Sequence, residues 1–209
     1  MSTESITGQG PFGFNPTPGV ETDTHYKEGG RKHPETHPAY ANPRIIDAHE
    51  GIVEASPRRK KVAIVGFASS SRDQAPYLDD TCENWAVNQL YRYAVRTDRH
   101  FEMHQRPVFE ADMVRDTDYV GWLRRTQVPV YMVETHPDMP MSVRYPVERV
   151  IARFGRDYFS SSIAFELALA LLEGFEEIHI YGVDLVVGRE WFYERANLEW
   201  WLGVAHAMG

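Results

Sequence analysis

Thiol chemistry is almost absent from these 209 residues, since Cys82 is the single cysteine. That excludes an intrachain disulfide and a thiolate metal cluster, and it fits a reducing compartment, so a cytoplasmic location is expected. Excess positive charge is also lacking: 22 Lys and Arg stand against 30 Asp and Glu, a formal net charge of −8. Nonspecific binding to nucleic acid or to an anionic membrane depends on clustered cations that neutralise phosphates. The nearest cluster, Arg58-Arg-Lys-Lys61, reads instead as the flank of a strand. The longest apolar stretch, near Ile163 to Leu172, is interrupted by Glu166, and the first thirty residues hold no apolar run of the kind a signal peptide needs. Gly-x-Ser-x-Gly, His-Glu-x-x-His and Walker lysine patterns do not occur, so hydrolase, zinc-protease and P-loop readings have no support.

The composition changes near residue 58. Before it lie seven prolines and seven glycines with no strand or helix period, a mixture unable to bury enough surface to offset its own ordering entropy. Residues 1–57 therefore read as an extended arm, with Arg44-Ile-Ile-Asp47 as a short apolar segment that would add an edge strand or dock as a clip, and residues 58–209 as one α/β domain. From Lys61 onward, apolar runs at 61–66, 83–88, 99–104, 128–133 and 177–183 predict strands. Helices are expected near 74–79, 116–125, 146–154, 161–173 and 191–208. The alternation implies a mostly parallel sheet with helices on both faces. A terminal helix leaves the sheet short by one strand, or leaves the arm to supply it.

Residues just beyond the carboxyl ends of the strands are the first place to seek function in such a sheet. Lys61-Val-Ala-Ile-Val-Gly66 followed by Phe-Ala-Ser-Ser-Ser-Arg-Asp73 reads as a buried strand and a small-residue turn whose N–H groups can hold an anion. Gly66 stands without the two further glycines of a dinucleotide fingerprint, so NAD is not expected. Ser69, Ser70 and Ser71 follow this strand, Asn88 and Gln89 the second, His104 the third, Glu134 and His136 the fourth, and Asp184 the fifth. Asp184 suits a ribose hydroxyl, a divalent cation or proton transfer, or simply caps a turn. Asn88 offers a paired donor and acceptor to a base or ribose, or ends a strand. His104 and His136 suit acid–base work near neutrality or metal ligation, though no third ligand stands at a recognisable spacing, whereas His25, His33 and His37 read as solvated. Arg144, just before Pro146, would clamp a phosphate or carboxylate, or pair on the surface. Ser160 to Ser162 cap the helix at 161–173, and Ser162 would face the same rim. The aromatic run from Trp191 to Trp201 reads mainly as packing, with a lid or subunit contact as the functional alternative.

Taken together, Ile64-Val-Gly-Phe-Ala-Ser-Ser70, Trp85-Ala-Val-Asn-Gln-Leu-Tyr91, Ser161-Ser-Ile-Ala with Leu-Glu-Gly-Phe-Glu-Glu-Ile178, Tyr181-Gly-Val-Asp184 and Glu194…Glu199-Trp resemble the Rossmann-like domain of 6-hydroxymethylpterin pyrophosphokinase-like and some sialyltransferase-like proteins. The same motifs look like uncharacterised proteins of tailed bacteriophages. The resemblance spans about residues 61–205, and Gly66-Phe-Ala-Ser-Ser70 replaces the Gly-x-Gly-Pro-Ser typical of those families. It implies nucleotide binding at Gly66, Ser69, Ser70, Asn88 and Asp184. The expectation is a nucleotide-binding transferase-like protein using a nucleoside triphosphate or nucleotide sugar, of glycosyl- or phosphotransferase type if catalytic. Asp184 and His104 would be the reacting groups, and Ser71, Ser162 and Arg144 further phosphate contacts. A magnesium ion at Asp184 would offset the shortage of basic residues. The alternative is a non-catalytic assembly protein, such as a virion component, that binds a protein partner or forms a homo-oligomer through residues 1–57.

Overall fold

A computed structural model describes residues 59–111, 118–185 and 192–209. In chain order the elements are β1 (Lys61–Val65), a 3-10 turn (Arg72–Gln74), β2 (Cys82–Val87), a second 3-10 turn (Asn88–Arg92), β3 (Arg99–Glu102), α1 (Arg106–Ala111), α2 (Tyr119–Arg125), β4 (Val130–Met132), β5 (Ser142–Arg144), α3 (Val147–Phe154), α4 (Ser162–Glu173), β6 (Glu177–Tyr181) and α5 (Phe192–Met208). The strands form one sheet in the order β5-β4-β3-β2-β1-β6. Every neighbouring pair is parallel, giving a Rossmann-like α/β arrangement.

Two-residue alternation sorts the strand side chains onto two covered faces. Val62, Ile64, Trp85, Val87, Phe101, Tyr131 and Val143 pack with α3, α4 and α5. On the other face Ala63, Val65, Cys82 and Ala86 lie under the short 3-10 turns, while Val130 and Met132 lie under α1 and α2. Helix α4 is buried from Ala164 to Leu171, its Ser161 side chain accepts a bond from Ala164 N, and Gly174 ends it. Burial of each Leu or Phe along it contributes about 1.5–3 kcal/mol. At its start, Asn197 of α5 accepts the Ser160 N–H at 3.0 Å and donates to Tyr158 O at 2.8 Å, which locks the two helices together.

Three differences from the sequence expectation have local causes. The helix expected at 74–79 is a single 3-10 turn, Arg72–Gln74, because Pro76 cannot continue it. The sheet gains β5, a three-residue strand lying between Pro140 and Pro146. Helix α1 also forms, opening at Arg106 with Pro107 inside its first turn, where a missing N–H costs nothing. The arm and the Arg44-Ile-Ile-Asp47 segment lie outside the described residues.

Polar side chains are built into this core. Arg99, only 6% exposed, pairs with Glu83 Oε2 at 2.9 Å and with Glu173 Oε2 at 2.8 Å, and its guanidinium lies 4.8 Å from the centre of the Trp85 ring. Glu166 and His100 are fully buried, and among the described residues neither Glu166 oxygen has a hydrogen-bond partner. Burial pushes the Glu166 carboxyl well above the usual carboxylate range and pushes His100 down to about 4.

These shifts act oppositely on stability. A depressed histidine means that the unfolded chain binds the extra proton between about pH 4 and 6.5, so stability is lost as pH falls through that window. A raised carboxyl means that the unfolded chain releases its proton first, so stability is lost as pH rises above about 4.3. Where the windows overlap they oppose each other. Glu166→Gln should unmask the histidine: in urea titrations the variant should gain more stability than the parent as pH rises from about 4.5 to 6.5. Parallel profiles for the two proteins would contradict a buried, neutral Glu166.

Candidate active site at the carboxyl edge of the sheet

The chain winds from β1 outward through β2, β3, β4 and β5, then returns to place β6 on the other flank of β1. The topological switch therefore lies between β1 and β6, where open α/β sheets bind ligands. Here the two loops are tied closely. Gly66 N donates to Tyr181 O and Ala68 N to Gly182 O, both at 2.8 Å, while Ser71 Oγ accepts Gly182 N at 2.8 Å. Ser70 Oγ donates to Asp184 Oδ1. Among the described residues the N–H groups of Ser69, Ser70 and Ser71 find no acceptor, so the turn keeps donors for an outside group although Gly66 does not. A Cβ on Gly66 would stand 2.6 Å from Gly182 O, so only glycine permits this approach.

The next strand along, β2, is followed by Asn88. This residue has φ of 48°, a left-handed conformation rare outside glycine, and its Oδ1 is buried without a partner. Beyond it β3 leads to His104, whose side chain is 42% exposed and whose Nδ1 lies 2.7 Å from Oε1 of the buried Glu102. Tyr119 Oη donates to Glu102 Oε2 at 2.8 Å and lies 3.4 Å from His100 Nε2. A buried carboxylate, with a buried hydroxyl behind it, thus orients a half-exposed imidazole.

The remaining candidates are distributed as follows. Asp184 follows β6 and His104 follows β3, with β1 and β2 between; at about 4.8 Å per strand they stand on the order of 14 Å apart and do not act on one atom. Arg144 is 3% exposed and paired with Glu148, so its guanidinium is held inside rather than at the rim. His136 is buried edge-on to Phe109 at 5.8 Å, and burial holds it below the usual histidine range. Glu134 is exposed just after β4. Ser162 is the first residue of α4, with Ser161 serving as its cap. Among the described residues no three His, Cys, Asp or Glu side chains converge as a metal-ligand set.

Sequence reasoning missed Glu102, Tyr119 and His100. A usable signal was present: in Arg99-His-Phe-Glu-Met-His104 the polar residues 100, 102 and 104 share one face of a strand whose parallel sheet is covered on both sides, so they must satisfy one another. Tyr119 is brought in by α2, from another part of the chain. No protein-family model, no curated protein and no solved structure matches this chain.

Proposed function

We propose that the carboxyl edge binds a nucleotide or nucleotide sugar and that the protein is a transferase of the type its sequence resemblance implies. The observation that carries this reading is Asn88, whose left-handed backbone and buried side-chain Oδ1, without a partner among the described residues, sit beside the loop that follows β1. A buried acceptor without a donor costs about 1–3 kcal/mol, and a ligand N–H or O–H would supply that donor. In this reading the N–H groups of Ser69, Ser70 and Ser71 face phosphate oxygens, Asn88 binds the base or ribose, and Asp184 takes a ribose hydroxyl. A magnesium ion held by Asp184 would need phosphate oxygens and waters to complete its shell, and would supply charge neutralisation for the bound phosphates. The assembly reading rests on residues 1–57, outside the described residues, and no described residue favours it.

Thermal melting in the presence of nucleoside mono-, di- and triphosphates and nucleotide sugars, with and without magnesium, tests this. Ligand at a hundred times its dissociation constant should add about 2.7 kcal/mol of stability. Asn88→Ala and Asp184→Ala should each weaken that gain while the protein still folds. No shift with any of these ligands would reject the reading.

A further inference from the structure

Folding places most aromatic rings inside, yet Phe67 and Tyr93 stay largely in water, at 42% and 51% exposed, and among the described residues they are the exposed aromatic side chains. Single exposed apolar residues need no explanation, but these two are placed together. Phe67 follows Gly66 in the loop after β1, and Tyr93 closes the 3-10 turn that Asn88 opens after β2. Arg72 ties the two loops: its guanidinium lies 4.5 Å from the centre of the Tyr93 ring, and its Nη1 donates to Phe67 O at 3.2 Å. Asp73 holds the same guanidinium, accepting from Nε at 2.9 Å. One face of Tyr93 is thereby covered and its plane fixed. Among the described residues no ring or cation lies on its other face, and no ring packs on Phe67.

We propose that Phe67 and Tyr93 stack the heterocyclic base of a bound nucleotide, with the base lying toward β2 and the phosphates toward β6. The stacking site rests on the nucleotide reading and says where much of the affinity comes from. The loop that carries Phe67 also carries the N–H donors of Ser69, Ser70 and Ser71, and the turn that carries Tyr93 begins at Asn88. Polar groups for phosphate and ribose and apolar faces for a planar ring are thus offered by the same two loops. A chain with a net charge of −8 has few cations to spare for phosphates, whereas every base has a π-face that an aromatic side chain can hold. A ring already pinned by Arg72 also loses little freedom when the base arrives.

The test is isothermal titration of the full chain, in magnesium, with the nucleoside di- and triphosphates of the four common bases and with pyrophosphate and tripolyphosphate as base-free probes. The best nucleotide should bind about tenfold or more tighter than the base-free probe with the same number of phosphates. Phe67→Ala and Tyr93→Ala should each weaken nucleotide binding about tenfold and leave the base-free probes unmoved. Phe67→Tyr and Tyr93→Phe keep a ring and should stay within about twofold of the parent. Both rings are exposed, so the alanine variants should fold, and Phe67→Ala carries the test alone if freeing Arg72 unsettles the other. Nucleotide binding that is unchanged in Phe67→Ala, or that falls only as far as tripolyphosphate binding falls, overturns the stacking site and leaves the nucleotide reading standing. A parent that binds none of the nucleotides rejects that reading and the stacking site with it.

Discussion

Arg99→Met should destabilise the fold by about 3–5 kcal/mol, the usual cost of removing one side of a buried ion pair. Methionine keeps the length of the apolar stem, so what is lost is the guanidinium, both its charge and its seat 4.8 Å from the centre of the Trp85 ring. Glu83, 5% exposed, and Glu173 would then face each other without the guanidinium that bonds to both, at 2.9 and 2.8 Å. The arginine is held strongly protonated by the Tyr131, Glu173 and Glu83 groups around it against the opposing effect of its burial. Urea denaturation at neutral pH gives the loss directly, and it is a large part of the 5–15 kcal/mol that ordinarily separates folded from unfolded chains. Adding Glu83→Gln and Glu173→Gln to Arg99→Met should recover more than half of it, because the cost lies in two buried carboxylates left without their counter-charge. If the triple variant is as weak as the single one, the loss comes from packing over Trp85 instead.

Gly182→Ala should cost about 4 kcal/mol, from two additive sources. The residue has φ of 65°, where a side chain meets its own backbone, and an added Cβ would stand 2.5 Å from Gly66 O. Relief of that overlap requires the loops after β1 and β6 to separate, which breaks the bonds from Gly66 N to Tyr181 O and from Ala68 N to Gly182 O. Gly66→Ala meets Gly182 O from the other side and should cost about 1–3 kcal/mol. The pair should be less than additive, since either change alone already opens the gap. Strict additivity, measured by melting of the single and double variants, would mean that the two glycines do not share a contact.

How much of this was legible depended on how long each apolar run was. Lys61–Val65 and Cys82–Val87 stand out because interior parallel strands bury both faces, and the edge strand Glu177–Tyr181 because Ile178 and Ile180 alternate with polar neighbours. Ser142–Arg144 did not, for three residues give period-two alternation too little room to register. The site was half legible for a similar reason. Strand ends can be read, so Ser69 to Ser71, Asn88, His104 and Asp184 fall on the expected edge. Contacts that cross the sheet face cannot be read from spacing, which is why Tyr119 behind Glu102 was invisible and why Arg144 looked available until its pairing with Glu148 was seen.

The lone thiol offers one more consequence. Cys82 opens β2, is 1% exposed, and has its thiol pushed up by burial and by the nearby Asp79 carboxylate. A thiol-modifying reagent therefore has a single target per molecule, and it can reach that target only when the start of β2 opens. The speed of modification is a clock for that opening, with no engineered label and no competing signal from elsewhere in the chain.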